Sequence, residues 1–138
     1  MARILAIDYG MKRTGIAVTD PLQIIASPLL TVETGQLMKF LEDYFRKEKV
    51  DAVIFGDPKN LDNTDSALSD VVRKFAAEVQ KKFPEMKIEW VDERFTSKMA
   101  QQTIISSGLK KMDRRNKSLL DKVSAALILQ HYLETKKR

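Results

Sequence analysis

The chain has 138 residues and a mass of 15.8 kDa, which points to a single domain spanning 1–138. It holds no cysteine, which excludes disulfides, thiolate zinc sites and cysteine nucleophiles and fits a reducing, cytoplasmic setting. The net charge is +5, the mean hydropathy is −0.30, no apolar run approaches the ~20 residues that span a bilayer, and Ile4 to Ile7 is too short for a signal-peptide core, so a soluble folded domain away from membranes is expected.

In chain order, strands are predicted at about 3–9, 14–19 and 24–32. Pro28 has no amide hydrogen to donate, which demotes the third to an edge or bulged strand. Thr34 and Gly35 open a helix to about Lys49 with Leu37, Phe40, Leu41 and Tyr44 on one face. Val50 to Gly56 reads as a buried strand. Asn63 to Ser66 offers N-caps for a helix to Lys82, whose stripe is Leu68, Val71, Val72, Phe75 and Val79. Pro84 breaks the chain and Met86 to Asp92 is a strand. Thr96 caps a helix ending at Gly108, and a last helix runs from about Ser118 to Thr135.

The order is therefore βββαβαβαα. Short connections make strands one to three an antiparallel meander, and helical crossovers make strands one, four and five parallel, with the fourth and fifth placed beside the first. The expected fold class is α/β: a five-stranded mixed sheet with helices on both faces. Ligands bind at the carboxyl edge of such sheets. The residues at that edge are Asp8, then Gly56-Asp57-Pro58, then Asp92-Glu93-Arg94.

Asp8 ends an apolar strand and is followed by Gly10, Lys12, Arg13 and Gly15. A charge beside a core strand is costly unless it is hydrogen-bonded, paired or cation-bound, although Asp also serves simply to cap a glycine turn. Converging carboxylates repel one another unless a cation neutralises them, and oxygen donors suit Mg²⁺ or Mn²⁺. Asp57 alone reads as a solvated turn residue, while Asp8 with Glu93 reads as a site. Asp121 alone reads as ordinary first-turn complementarity to a helix dipole.

Positive charge is concentrated late in the chain. From 108 to 138 there are nine Lys/Arg against three acids, whereas the other 107 residues carry a net −1. Lys110, Lys111, Arg114, Arg115 and Lys117 form a run suited to a polyanion, and with only Met112 to insert it fits a membrane surface poorly. His131, the single histidine, reads as a surface or helix-end residue.

Three ordered segments now carry a resemblance. Asp8-Tyr9-Gly10-Met11-Lys12-Arg13-Thr14-Gly15-Ile16-Ala17, Val91-Asp92-Glu93-Arg94 with Thr96, and Asp121 to Leu129 resemble the YqgF/RuvX family, a bacterial branch of the RNase H-like nucleases related to Holliday-junction resolvases. The resemblance runs from about Ile4 to Leu133. It implies an RNase H-like fold, divalent-metal-dependent phosphodiester hydrolysis, and a part in maturing the 5′ end of pre-16S rRNA in the cytoplasm. By motif position it makes Asp8, Glu93 and Asp121 the catalytic, metal-holding acids. Two places depart from the family pattern: Asp57 stands where an apolar residue is usual, and Asn63-Thr64 where Gly-Thr is usual. Asp57 is thereby either an extra ligand or a charge that weakens binding through the backbone there.

The expected mechanism has Asp8 bridging two Mg²⁺ ions, with Glu93 and Asp121 each completing one set of ligands, and a water activated there attacking phosphorus. Lys12, Arg13 and Arg94 would hold phosphates near the metals, and the 110–117 run would grip the flanking strand without sequence preference. The partner is nucleic acid, pre-16S rRNA or alternatively branched DNA, with ribosomal particles as a further setting. The alternatives are a Holliday-junction resolvase, which needs a dimer, and a nucleic-acid-binding module without catalysis, for which converging acids have no use. An actin-like ATPase needs a second lobe for which 138 residues leave no room, and no P-loop or Gly-x-Gly-x-x-Gly occurs.

Overall fold

The computed structural model describes residues 2–57, 67–92 and 117–136, the side chains at 67, 92, 117–122 and 136 excepted. Five strands form one sheet: β1 (Arg3–Asp8), β2 (Arg13–Thr19), β3 (Ala26–Glu33), β4 (Val50–Asp57) and β5 (Lys87–Asp92). Their order is β3-β2-β1-β4-β5. β1 pairs antiparallel with β2, and β2 with β3, while β1 pairs parallel with β4, and β4 with β5. The mixed sheet expected from the sequence is thus present. The fourth and fifth strands lie on the free side of the first, with the fifth beyond the fourth because both edges of β1 are taken by β2 and β4.

Three helices accompany the sheet among the described residues: α1 (Leu37–Lys47), α2 (Ala67–Lys82) and α3 (Lys117–Lys136). A 3-10 turn over Thr34–Gln36 precedes α1, so the helix proper begins later than the cap signal at Thr34 and Gly35 predicts. The helix predicted between Thr96 and Gly108, and the caps at Asn63 to Ser66, lie outside the described residues.

β1 is the centre of the sheet, and its side chains alternate between two cores. Leu5 and Ile7 join Ile16, Val18, Val53 and Phe55 against α1 and α2. Ile4 and Ala6 join Ala17, Ala52, Ile54 and Val91 against Ala125, Ile128, Leu129 and Leu133 of α3. Being buried on both faces explains why β1 and β4 read as unbroken apolar runs rather than alternating ones. Each fully buried Ile, Leu or Phe contributes about 1.5–3 kcal/mol relative to exposure.

β3 behaves as Pro28 demands. It is an edge strand, and the ladder slips where Ile16 pairs with Leu30 but Ala17 with Pro28, leaving Leu29 as the extra residue of a bulge.

Tyr132 ties α3 to β5. Burial first, and then the hydrogen bond that the phenol donates to Glu89 and the charge of that carboxylate, push the phenol up to about 12. Tyr9 and Tyr44 are also raised, chiefly by burial, so all three tyrosines of the chain shift in one direction. The unfolded chain releases these protons near the ordinary value of 10.0, while the fold retains them. Stability is therefore full below that pH and falls as pH rises through about 12. Urea unfolding at pH 8 and pH 11 is expected to show this loss. Tyr132→Phe is expected to cost on the order of 1 kcal/mol at neutral pH, by removing the hydrogen bond, and to flatten the alkaline decline.

Candidate functional site

Parallel pairing levels the carboxyl ends of β1, β4 and β5. Ile7 lies opposite Phe55, Phe55 opposite Trp90, and Asp57 opposite Asp92. Asp8, Asp57 and Asp92 therefore end neighbouring strands at one edge of the sheet, and Glu93 is the next residue in the chain after Asp92.

Alternation then separates the two described carboxylates. Ile7 and Tyr9 belong to the core under α1 and α2, and the Tyr9 ring lies 5.3 Å from that of Phe75. Asp8, between them, emerges on the opposite face, in line with Ile4 and Ala6 toward α3. It is half-buried, and its cross-strand partner is Gly15, which carries no side chain to crowd it. Asp57 follows Val53 and Phe55 onto the α2 face, where its Oδ2 lies 3.6 Å from Nη2 of Arg73. The extra acid of the fourth strand is thus matched by a cation from α2, on the side of the sheet away from Asp8.

Asp121 is a backbone member of α3, one turn before Ala125 and two before Ile128, both of which pack on the sheet. Position 121 thus shares a helical row with residues that face the strands. Lys117 is the first residue of α3. Glu93, Arg94, Lys110, Lys111, Arg114 and Arg115 lie outside the described residues. His131 is an exposed residue of α3, as the sequence leads one to expect.

Lys12 and Arg13 are exposed at the turn from β1 into β2. That turn is closely built. A Cβ on Gly10 would sit 2.3 Å from the backbone oxygen of Arg13, a distance no side chain tolerates. The Gly10 amide lies 3.5 Å from Oγ1 of Thr14, the Thr34 hydroxyl donates to the Gly10 carbonyl at 2.6 Å, and the Thr34 amide donates to the Lys12 carbonyl at 2.9 Å. Sequence reasoning marks Gly10 for the turn but reads Thr34, more than twenty residues away, only as the opening of a helix. Only the β2–β3 register, with Arg13 opposite Glu33 and Thr14 opposite Val32, brings Thr34 to the turn. Arg73 carries no signal in the sequence either, since its partner is found only by folding.

The donor chemistry suits a hard divalent cation. Asp8 supplies oxygen alone, and Glu93 and Asp121 would add the same donor type. Among the described residues no three potential ligands gather, as expected where two of the three acids contribute no described side chain.

A family model described as "RuvX: Holliday junction resolvase" matches residues 2–135. The chain belongs to the RuvX family. Among its relatives is a protein of Christiangramia forsetii, 59% identical over 133 residues, covering 96% of this chain and 98% of the relative; its name is "Putative pre-16S rRNA nuclease". A protein of Porphyromonas gingivalis with the same name is 51% identical over 138 residues, covering the whole of both chains. Among solved structures, Thermus thermophilus RuvC in complex with a Holliday junction substrate superposes with a TM-score of 0.60 at 17% identity, covering 99% of this chain and 96% of that one. RuvX and RuvC thus share the RNase H-like fold that the resemblance implied.

The turn yields a direct test. Gly10→Ala forces the Arg13 carbonyl aside and is expected to cost on the order of 2 kcal/mol, read as a lowered urea midpoint at unchanged m-value.

Proposed function

We propose that this chain is a divalent-metal-dependent nuclease that hydrolyses RNA phosphodiester bonds in maturing the 5′ end of pre-16S rRNA, acting in the cytoplasm on assembling ribosomal particles. The observation that carries the reading is Asp8 at the carboxyl edge of the parallel strands, beside an exposed basic turn, in a chain similar along its full length to proteins bearing that nuclease name. Among the described residues no helix is long and apolar enough to cross a membrane.

In this reading Asp8, Glu93 and Asp121 would hold divalent cations, Mg²⁺ or Mn²⁺. Bound there, the cations would supply charge neutralisation at the scissile phosphate and a more acidic water. The rest of the work falls to the protein. Lys12, Arg13 and Arg94 bind the phosphates beside the break and orient the strand. Lys110, Lys111, Arg114, Arg115 and Lys117 hold the flanking backbone through ion pairs that carry no sequence information. Asp57 takes no part, because Arg73 holds it on the other face of the sheet.

Incubation with a pre-16S 5′-leader RNA and with a four-way DNA junction, each with Mg²⁺ or Mn²⁺, tests the reading. The RNA is expected to be cut and the junction left whole, and EDTA is expected to stop the reaction. Junction resolution without RNA cleavage would move the chain to the recombination class instead.

Asp8→Asn, Glu93→Gln and Asp121→Asn are each expected to lower kcat by roughly a hundredfold or more. Asp57→Asn is expected to leave cleavage within about threefold of wild type while lowering thermal stability, since it weakens the ion pair with Arg73 on the face of the sheet away from Asp8. RNA affinity is expected to fall steeply with salt. Neutralising the five cations of the 110–117 run should flatten that slope by about 0.7 for every phosphate of single-stranded RNA that the protein then leaves to its counterions.

A further inference from the structure

The hydrogen bonds at the Gly10 turn close on themselves. Thr34 Oγ1 donates its single proton to the Gly10 carbonyl at 2.6 Å. The 3.0 Å hydrogen bond between Thr14 Oγ1 and Thr34 Oγ1 must then run from Thr14 as donor. The lone pairs of Thr14 remain for the Gly10 amide, 3.5 Å away. The circuit returns to the residue where it began: Gly10 amide, Thr14 hydroxyl, Thr34 hydroxyl, Gly10 carbonyl. Thr34 also donates its amide to the Lys12 carbonyl at 2.9 Å. One residue just past the end of β3 thus grips the turn on both sides of Met11.

A plain hairpin connection between β1 and β2 needs no tie to a third strand. Here Thr14 is fully buried within the circuit, Gly10 has no room for a Cβ, and the side chains facing solvent are Met11, Lys12 and Arg13. The tie therefore fixes the backbone under two cations that stand four and five residues after Asp8. Cations on a pre-set backbone lose less freedom when they meet a phosphate, which strengthens and aligns the interaction.

We propose that Thr34 is a positioning residue for the phosphate grip of Lys12 and Arg13, holding their turn in one shape beside Asp8. This rests on the nuclease reading above, in that Lys12 and Arg13 are taken to bind substrate phosphates. Thr34 itself touches no substrate; it acts through Gly10 and Lys12.

The test measures binding of a fluorescently labelled single-stranded RNA in EDTA, where no cleavage intervenes, over a series of salt concentrations. Wild type is compared with Thr34→Val, Thr34→Ser and the double variant Lys12→Ala/Arg13→Ala. The double variant is expected to bind more weakly, with a salt slope flatter by about 1.4 for two phosphates. Thr34→Val is expected to weaken binding about tenfold and to flatten the slope in part, whereas Thr34→Ser, which keeps the hydroxyl, should bind within about twofold of wild type. In cleavage assays Thr34→Val should raise KM by more than it lowers kcat. Thr34→Ala serves as a second hydroxyl-free variant if valine impairs folding. A hydroxyl-free variant that melts at lower temperature yet keeps wild-type affinity and salt slope overturns the proposal and leaves Thr34 a structural pin. If the double variant binds as wild type does, the phosphate grip is absent, and the proposal falls together with that part of the nuclease reading.

Discussion

Parallel pairing across β1, β4 and β5 is the constraint on which the candidate site depends. Helical crossovers force these strands to run in one direction, so their carboxyl ends emerge at one edge. Acids dispersed through the sequence at 8, 57 and 92 become neighbours by strand order rather than by chain distance. The central strand tolerates no compromise in this arrangement, because Ile4 and Ala6 serve one core and Leu5 and Ile7 the other. A slip of one residue would exchange the two cores and turn Asp8 to the wrong face.

The same alternation manages charge at the edge. Asp8 and Asp57 end adjacent strands, yet they lie on opposite sides of the sheet. Arg73 of α2 meets Asp57, so the negative charge at the end of β4 is compensated locally. The face that carries Asp8 is the one covered by α3, and α3 is fixed by its apolar packing and by the bond from Tyr132 to Glu89. Whatever position 121 contributes is thus delivered by a helix whose seat is set several turns away.

Much of the architecture is legible from local signals. Apolar runs bounded by glycine, proline and charge locate β1, β4 and β5, and Pro28 marks β3 as an edge strand with a bulge because a missing amide hydrogen cannot serve a central ladder. Thr34 misleads slightly, since its hydroxyl looks like a helix cap and instead bonds the Gly10 carbonyl. The face taken by Asp57 is not legible either: an acid at a strand end offers the same letters whether it meets a metal, water or an arginine on the helix that follows.

What the amino-acid order determined by itself was the set of elements, the order of strands implied by their connections, and Asp8 with Glu93 as candidate acids, to which the family resemblance added Asp121. Periodicity, turn chemistry and motif spacing are local properties and survive in one dimension. Only the folded chain decided that Arg73 faces Asp57, that Asp8 turns toward α3, and that Thr34 closes a circuit through Gly10. Those are meetings of residues far apart in sequence, set by strand register and by which face each side chain takes, and no local signal encodes either.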